Sequence, residues 1–449
     1  MIRAAFTLIL TLLAVPAHAI DIQQVTSPGG VDAWLVEDHS IPFVALTLEF
    51  EGGASLDAPG QRGAVNLMTA TLEEGAGALR AEEFAAAVEA EGGAISFRAG
   101  DDEVTVSARA LTENLDATAD LMALALAQPR FDDDAVERVR AQVQANIRAA
   151  KTDPETIAAL EMASQAWGDH PYGSSTSGTA DSVAKLTRQD LVAAKNRVLA
   201  RDRVHVGVAG DITAEELGLL LDKVLGGLPE TGTAPLPEPA ELQLTGGVTV
   251  IDWDSPQTVV SFSGPGLPLE DPDYFAAIIA NHVMGGGGFS SRMMDELREK
   301  RGLTYGVRTG LATGLYGQTW VGGMASANEK VGEGVDLIRQ EWTRMAEAGV
   351  TDQELADAKT YLTGEYSLRF YGNGSIANIL AGMQLIGLPA DYVNTRNDKV
   401  EAVTAEDVQR VSERLLNTDT LRFVLVGRPE GITDDSAAIA DEAPAETTN

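Results

Sequence analysis

The feature that most constrains this chain is an internal repeat, carried by helix-capping signals more than by identity. Thr187-Arg188-Gln189-Asp190 and Thr404-Ala405-Glu406-Asp407 both read as T-x-x-[DE] helix starts leading into apolar periodicity. Each precedes a β-rich run at the same distance: Val204-His205-Val206-Gly207-Val208 and Leu421-Arg422-Phe423-Val424-Leu425. In both comparisons the second member lies 217 positions after the first. At that offset Thr351-Asp352-Gln353-Glu354, which opens a long helix, falls on Asp134. The segment around Asp134 opens another helix through Val136, Val139, Val143 and Ile147. Such a chain folds as two homologous halves. Each half reads as strands, then helices, then a last strand and helix, which predicts an α+β fold with helices on one face of an antiparallel-rich sheet.

Residues 1–19 read as a signal peptide: Arg3, an apolar stretch from Ala4 to Val15, and an Ala17-His18-Ala19 cleavage site. The stretch falls short of the ~20 residues that span a bilayer, and no later segment is long and apolar enough to do so. A periplasmic location follows as an expectation. The halves are expected at 20–228 and 247–429, joined by a proline-spaced linker at 229–246. Residues 430–449 are Asp, Glu, Ala and Thr with little to bury, which predicts an acidic disordered tail. The absence of cysteine removes disulfides and thiolate chemistry. A net charge of −34 argues against nucleic acid or anionic membrane as a partner.

One helix has the setting of a zinc-hydrolase motif without its chemistry. Gly63 to Gly75 contains Asn66-Leu67-Met68-Thr69-Ala70 and follows the strand and turn Phe50-Glu51-Gly52-Gly53-Ala54-Ser55. A zinc peptidase needs three protein ligands and an open position for water; H-x-x-E-H supplies two histidines on one helix face and a glutamate base. The context resembles the pitrilysin/insulinase metallopeptidase family, of the mitochondrial-processing-peptidase type. On that resemblance Asn66 and Ala70 stand at the two histidines and Thr69 at the glutamate. Asn146, in Ala145-Asn146-Ile147-Arg148, stands at the distal ligand. His39, His170, His205 and His282 show no i, i+4 pairing that would replace them, and Glu73 and Glu74 read as surface helix charge. No zinc is expected on this chain.

The second half carries the strongest resemblance, from Asn281 to Val307. It includes Gly285-Gly286-Gly287-Gly288-Phe289-Ser290-Ser291-Arg292-Met293 and Leu297-Arg298-Glu299-Lys300-Arg301-Gly302-Leu303-Thr304-Tyr305. The glycine run lacks the Gly-Lys-Ser/Thr ending of a phosphate loop. Trp167-Gly168-Asp169-His170-Pro171-Tyr172-Gly173 and Val208-Ala209-Gly210-Asp211-Ile212 extend the likeness over nearly the whole mature chain. The resemblance implies that Arg298 and Tyr305 act in trans, holding substrate and stabilising an oxyanion beside a partner's zinc. It also implies that Gly285 to Gly288 touch peptide or partner.

The expectation is a non-catalytic subunit forming half of a clam-like chamber. It would work with a homologous zinc-bearing subunit that carries H-x-x-E-H and hydrolyses peptides, bound partly by strand addition. The alternative is a peptidase-derived binding or scaffold protein with no proteolytic role. No Ser/His/Asp order, paired-acid motif or cofactor loop supports an independent enzyme.

Overall fold

The computed structural model describes residues 20–435, so the expected signal peptide and residues 436–449 of the tail lie outside it. Alternating apolar positions place eight strands in the first half: β1 Gln23–Thr26, β2 Asp32–Glu37, β3 Phe43–Glu51, β4 Gly75–Ala76, β5 Leu79–Arg80, β6 Ala94–Ala99, β7 Glu103–Leu111 and β8 Val204–Gly210. The second half has β9 Gly247–Asp252, β10 Gln257–Pro265, β11 Thr304–Thr313, β12 Gln318–Ala327 and β13 Arg422–Gly427. The small β4–β5 hairpin stands apart.

The repeat governs the topology. The first sheet runs β1-β2-β8-β3-β7-β6, and the second, read from its other end, runs β9-β13-β10-β12-β11. In both, the last strand in sequence pairs parallel with the first strand of the shared set, β2 with β8 and β9 with β13. Every other pairing is antiparallel. The first sheet differs by its extra edge strand β1. Thr187 and Thr404 both close capping boxes, with Asp190 and Asp407 as their acidic partners. The third landmark is displaced. Helix Asp133–Ala150 is capped at Asp132, two residues before the expected Asp134, because Asp132 is extended and Asp133 and Asp134 already occupy the first turn.

Each half has its own apolar core on one sheet face. In the first, Leu48 and Phe50 of β3 and Val104 and Val106 of β7 meet Leu67, Met68 and Val143 from helices Ala64–Ala70 and Asp133–Ala150. In the second, Phe262, Phe423, Trp320 and Trp342 are fully buried, the two indoles edge to face at 5.6 Å.

The opposite face of each sheet is covered by a helix from the other half. Helix Pro154–Trp167 crosses to the second sheet, where Ala158, Met162 and Ala166 pack with Val424, Val426, Val259 and Ile251. Helix Asn373–Leu385 crosses to the first sheet and lies on β8, β3 and β2. Only a glycine at 207 allows this approach: a Cβ there would lie 2.1 Å from the Ala377 carbonyl oxygen. This second contact buries Ala377, Leu380 and Ala381 and adds polar ties to them. Thr47 Oγ1 donates to Asn378 Oδ1 at 2.6 Å, and Gln384 Nε2 donates to the Val206 carbonyl at 2.7 Å.

A third tie joins the halves. The β11–β12 turn brings the Leu315 amide 2.9 Å from an Asp102 carboxylate oxygen. The Tyr172 hydroxyl donates to Asp102 and accepts from the Tyr316 amide at 3.1 Å. The proline-rich linker is pinned along its length: Arg201 N–H donates to Pro229 O, and Gln243 N–H to Ala166 O. The tail does not begin its expected disorder at residue 430. Glu430 N–H donates to Asn328 O, and Asp435 binds the β9 backbone and lies 3.3 Å from the buried Arg422 guanidinium. That buried cation needs a counter-charge, which is why the chain stays attached this far.

Glu49 sits on β3 beneath helix Asn373–Leu385, opposite His205 and Thr105 on the neighbouring strands. Burial, reinforced by the charge of Glu103 and opposed by Arg98, pushes its carboxyl up to about 7. The unfolded chain loses this proton near 4.5, so the stabilising retention of the proton disappears as pH rises through 7. Glu49→Gln is therefore expected to gain stability over the native chain, by an amount growing between about pH 5 and 7 and then levelling at up to about 3 kcal/mol. Urea unfolding of both proteins across that range measures it; a difference independent of pH would contradict the assignment.

Candidate functional site

The helix with the zinc-site setting is short, Ala64–Ala70, and packs against helix Asp133–Ala150. Asn66 and Ala70 are half-buried, Thr69 is sealed in the core with its hydroxyl unpartnered, and Asn146 is exposed and accepts from Gln142 Nε2 at 3.0 Å. The two helices that a zinc site would need are thus in contact, but none of the four positions offers an imidazole or carboxylate. The residues do not fit the metal. Among the described residues no group of three His, Asp or Glu side chains is placed to hold one. Glu73 and Glu74 lie past the helix end, in a turn rather than on the helix face, and Glu74 pairs with Arg138.

The histidines are spread out. His39 Nδ1 lies 2.7 Å from Asp211, His170 Nδ1 accepts from the Tyr172 amide, and His205 faces Glu51 across strands at 3.9 Å. His282 is the exception in position, since its ring lies 4.8 Å from that of Tyr361 at the start of the glycine loop.

In the second half three backbone irregularities converge. Residues His282–Gly286 and Met294–Glu299 form π-type turns, with Gly287 N–H bonded to His282 O and Lys300 N–H to Asp295 O. The pairing of β11 with β12 shifts register between Thr304 and Val307, a bulge at Tyr305 and Gly306. Together they bring Arg298 and Tyr305, the two residues singled out by the resemblance, into contact. The Arg298 guanidinium lies 5.5 Å from the Tyr305 ring centroid and 4.7 Å from that of Phe289, and its Nη1 is 2.8 Å from a Glu299 carboxylate oxygen. Tyr305 is 90% exposed, so the bulge aims its phenol at solvent.

The four glycines do not share one role. Gly285 is buried against Thr309, and Gly286 and Gly287 pack on Asn281 and His282 too closely for any Cβ. Only Gly288 has open space around it, with a φ of +59°. Gly285 is therefore sealed from the surface, and Gly286, Gly287 and Gly288 are the ones accessible from outside.

Two residues of the site, Phe289 and Arg292, lie inside the matched segment without a role that the sequence assigns. Phe289 is 72% exposed beside Arg298, and its only cue was an aromatic residue after four glycines. Arg292 anchors the loop from below: Nε and Nη2 bind Glu354 at 2.6 and 2.7 Å, and Nη2 also binds Gly349 O at 2.9 Å. Glu354 in turn closes the capping box of helix Asp352–Tyr366. A cavity of about 500 Å³ lies elsewhere in the second half, between Phe275, Leu388, Tyr392 and Arg410, and none of these loop residues lines it.

Known proteins share this architecture. The family described as insulinase (peptidase family M16) matches residues 33–180, and the peptidase M16 inactive domain matches residues 185–362. The non-peptidase homolog YmxG of Helicobacter pylori is 25% identical, covering 87% of this chain and 90% of its own length. An uncharacterized zinc protease of Mycobacterium tuberculosis is 27% identical over 90% of this chain and 92% of its own. A solved peptidase M16 inactive domain from Pseudomonas fluorescens superposes with a TM-score of 0.86 at 28% identity, covering 92% of this chain and 99% of that one.

Metal analysis of the purified native chain is expected to return no stoichiometric zinc. The variant Asn66→His/Ala70→His/Asn146→Glu restores three ligands on the two packed helices and is expected to bind about one zinc. One tight zinc on the native chain would contradict the geometry. A second prediction concerns Arg292. Burial works to raise the Glu354 carboxyl, but hydrogen bonds from Arg292 and Thr351 outweigh it and hold it down to about 2. This contribution is present above the ordinary 4.5 and is lost as pH falls toward 2. Arg292→Met should cost about 2 kcal/mol at neutral pH and clearly less near pH 3, measured by urea unfolding.

Proposed function

Because the chain belongs to the insulinase (M16) peptidase family yet carries neither imidazole nor carboxylate at positions 66, 69, 70 and 146, we propose that it is the non-catalytic subunit of a two-chain zinc peptidase. The observation that carries this reading is the contrast between the two candidate sites. Positions 66, 69, 70 and 146 are chemically blank, while three irregularities bring a half-buried Arg298 against a Tyr305 that is open to solvent. Turns and bulges of this kind concentrate at functional sites, where they re-aim a side chain. The likeness to a relative named a non-peptidase homolog supports the absence of independent activity.

In this reading a homologous subunit with H-x-x-E-H supplies zinc, the attacking water and the glutamate base. This chain supplies a chamber wall and two donors. The Arg298 guanidinium and Tyr305 hydroxyl hold the peptide carbonyl and stabilise the charge that develops on its oxygen. Gly286 to Gly288 let the peptide backbone approach, and an extended peptide adds to a sheet edge. The reaction takes place in the periplasm, to which the first nineteen residues direct the chain.

The test is co-purification from the native compartment, followed by peptidase assay of the reconstituted pair. The chain alone should cleave nothing, and the zinc-bearing partner should restore activity. Arg298→Ala and Tyr305→Phe should each lower turnover by about 100-fold while leaving assembly intact. Full turnover in both variants would remove the assigned role. Recovery of a self-associated chain with no zinc-bearing homologue would favour the scaffold reading instead.

A further inference from the structure

The cavity of about 500 Å³ in the second half shares no residue with the loop around Arg298. Its size falls among pockets that enclose a small molecule, about 300–1,000 Å³. It opens where helix Tyr274–Asn281 packs against helices Tyr392–Ala402 and Ala405–Leu415. One wall is aromatic: the Phe275 and Tyr392 rings lie 28° from parallel with centroids 6.5 Å apart. Arg396 takes up the Tyr392 hydroxyl, so Tyr392 contributes its ring. Leu388 and Val403 continue the apolar surface.

The charges of this lining are sorted. Arg410 holds Asp273 and, through Nη1 at 2.8 Å, Asp407, while Arg414 holds Asp271 at 2.9 Å. Lys399 is different. Its Nζ lies 5.2 Å from the Tyr392 ring centroid and 6.0 Å from that of Phe275. Among the described residues it has no ion-pair partner, on a chain with 67 acidic residues against 33 basic ones. Ring faces attract an ammonium but leave its three donors unused. Lys399, Phe275 and Tyr392 thus touch one another and line the same cavity.

We infer that this cavity binds a small monocarboxylate with a flat apolar body, its acid group on Lys399 and its body against Phe275 and Tyr392. The wall removes the body from water, and the unpaired ammonium supplies the counter-charge. Glu270, exposed in the same lining, is the acid that no guanidinium holds among the described residues, and it disfavours ligands of higher negative charge. A free aromatic acid and the C-terminal carboxylate of a peptide with an apolar last residue present the same chemistry.

Equilibrium binding to the full-length chain tests the site. The probes are naphthylacetate, its primary amide, and acetate. The native chain should bind the acid about tenfold more tightly than the amide, and acetate far more weakly than either. Lys399→Met replaces an exposed side chain and keeps its apolar stem, so the fold should persist; it should bring the acid down to the level of the amide and leave the amide unchanged. Glu270→Gln should tighten the acid alone. Ala402→Trp, at an exposed position of the lining, should block both acid and amide. Arg298→Ala should alter none of these affinities, which separates this cavity from the peptide-holding pair. Preference of a tripeptide ending in a free phenylalanine carboxylate over its amide, lost in Lys399→Met, would extend the site to chain ends; naphthylacetate binding without that preference would confine it to small free acids. No binding of naphthylacetate by the native chain, equal binding of acid and amide, or an acid preference that survives Lys399→Met would overturn the assignment.

Discussion

Everything in this molecule depends on two helices that sit on the wrong halves. Each sheet buries one face under its own helices and the other under a helix from its counterpart, so neither half is complete alone. The exchange is reciprocal but chemically unequal. Alanine, methionine and valine close the contact on the second sheet, which is a hydrophobic interface in the ordinary sense. On the first sheet Ala377, Leu380 and Ala381 are also buried, but over the bare backbone of Gly207 the contact adds hydrogen bonds from Thr47 to Asn378 and from Gln384 to the Val206 carbonyl, with Glu49 beneath. Buried polar contacts of this kind specify a geometry more than they stabilise it. The apolar contact supplies adhesion, and the polar one sets the register between halves.

That rigid frame is what allows the backbone around Arg298 to be irregular. Two π-type turns and a β-bulge within about twenty-five residues would each loosen an isolated segment. Here Arg292 is clamped to Glu354, and Val307, just past the bulge, lies in the second core. The irregularities spend their freedom in one direction, outward, and that is where Arg298, Tyr305 and Phe289 are found. The first half shows the contrasting case. Its helix Ala64–Ala70 is regular, carries no reactive group, and turns Thr69 into the core.

Much of this was legible in the chain. Two capping boxes at matched spacing announced the duplication, and Thr187, Thr404 and the strands that follow them sit where that spacing requires. The vacancies at Asn66, Thr69, Ala70 and Asn146 were legible because the family resemblance marks the positions and side-chain chemistry then empties them. Arg298 and Tyr305 were named through the family resemblance, but their mutual contact depends on a turn and a bulge that periodicity does not encode. What periodicity missed has a common cause. The helix exchange leaves no local trace, because an amphipathic helix looks the same whichever sheet receives it. Phe289 was passed over because exposure is a tertiary property. The docking of Asp435 was hidden because its partner, Arg422, reads in sequence as an ordinary strand residue.

The exchanged helices also impose an order in time. A chain made from its N-terminus finishes its first sheet at Gly210, yet the helix that covers that sheet's polar face is not synthesised until residues 373–385. Through that interval the nascent first half holds an open surface bearing Glu49, Glu51 and His205. An apolar face left waiting so long would invite aggregation, whereas a hydrated one can wait. The second sheet, whose apolar face would be hazardous in the same position, receives a helix that already exists before its first strand is made. The unequal chemistry of the two contacts thus matches the direction in which a polypeptide is built.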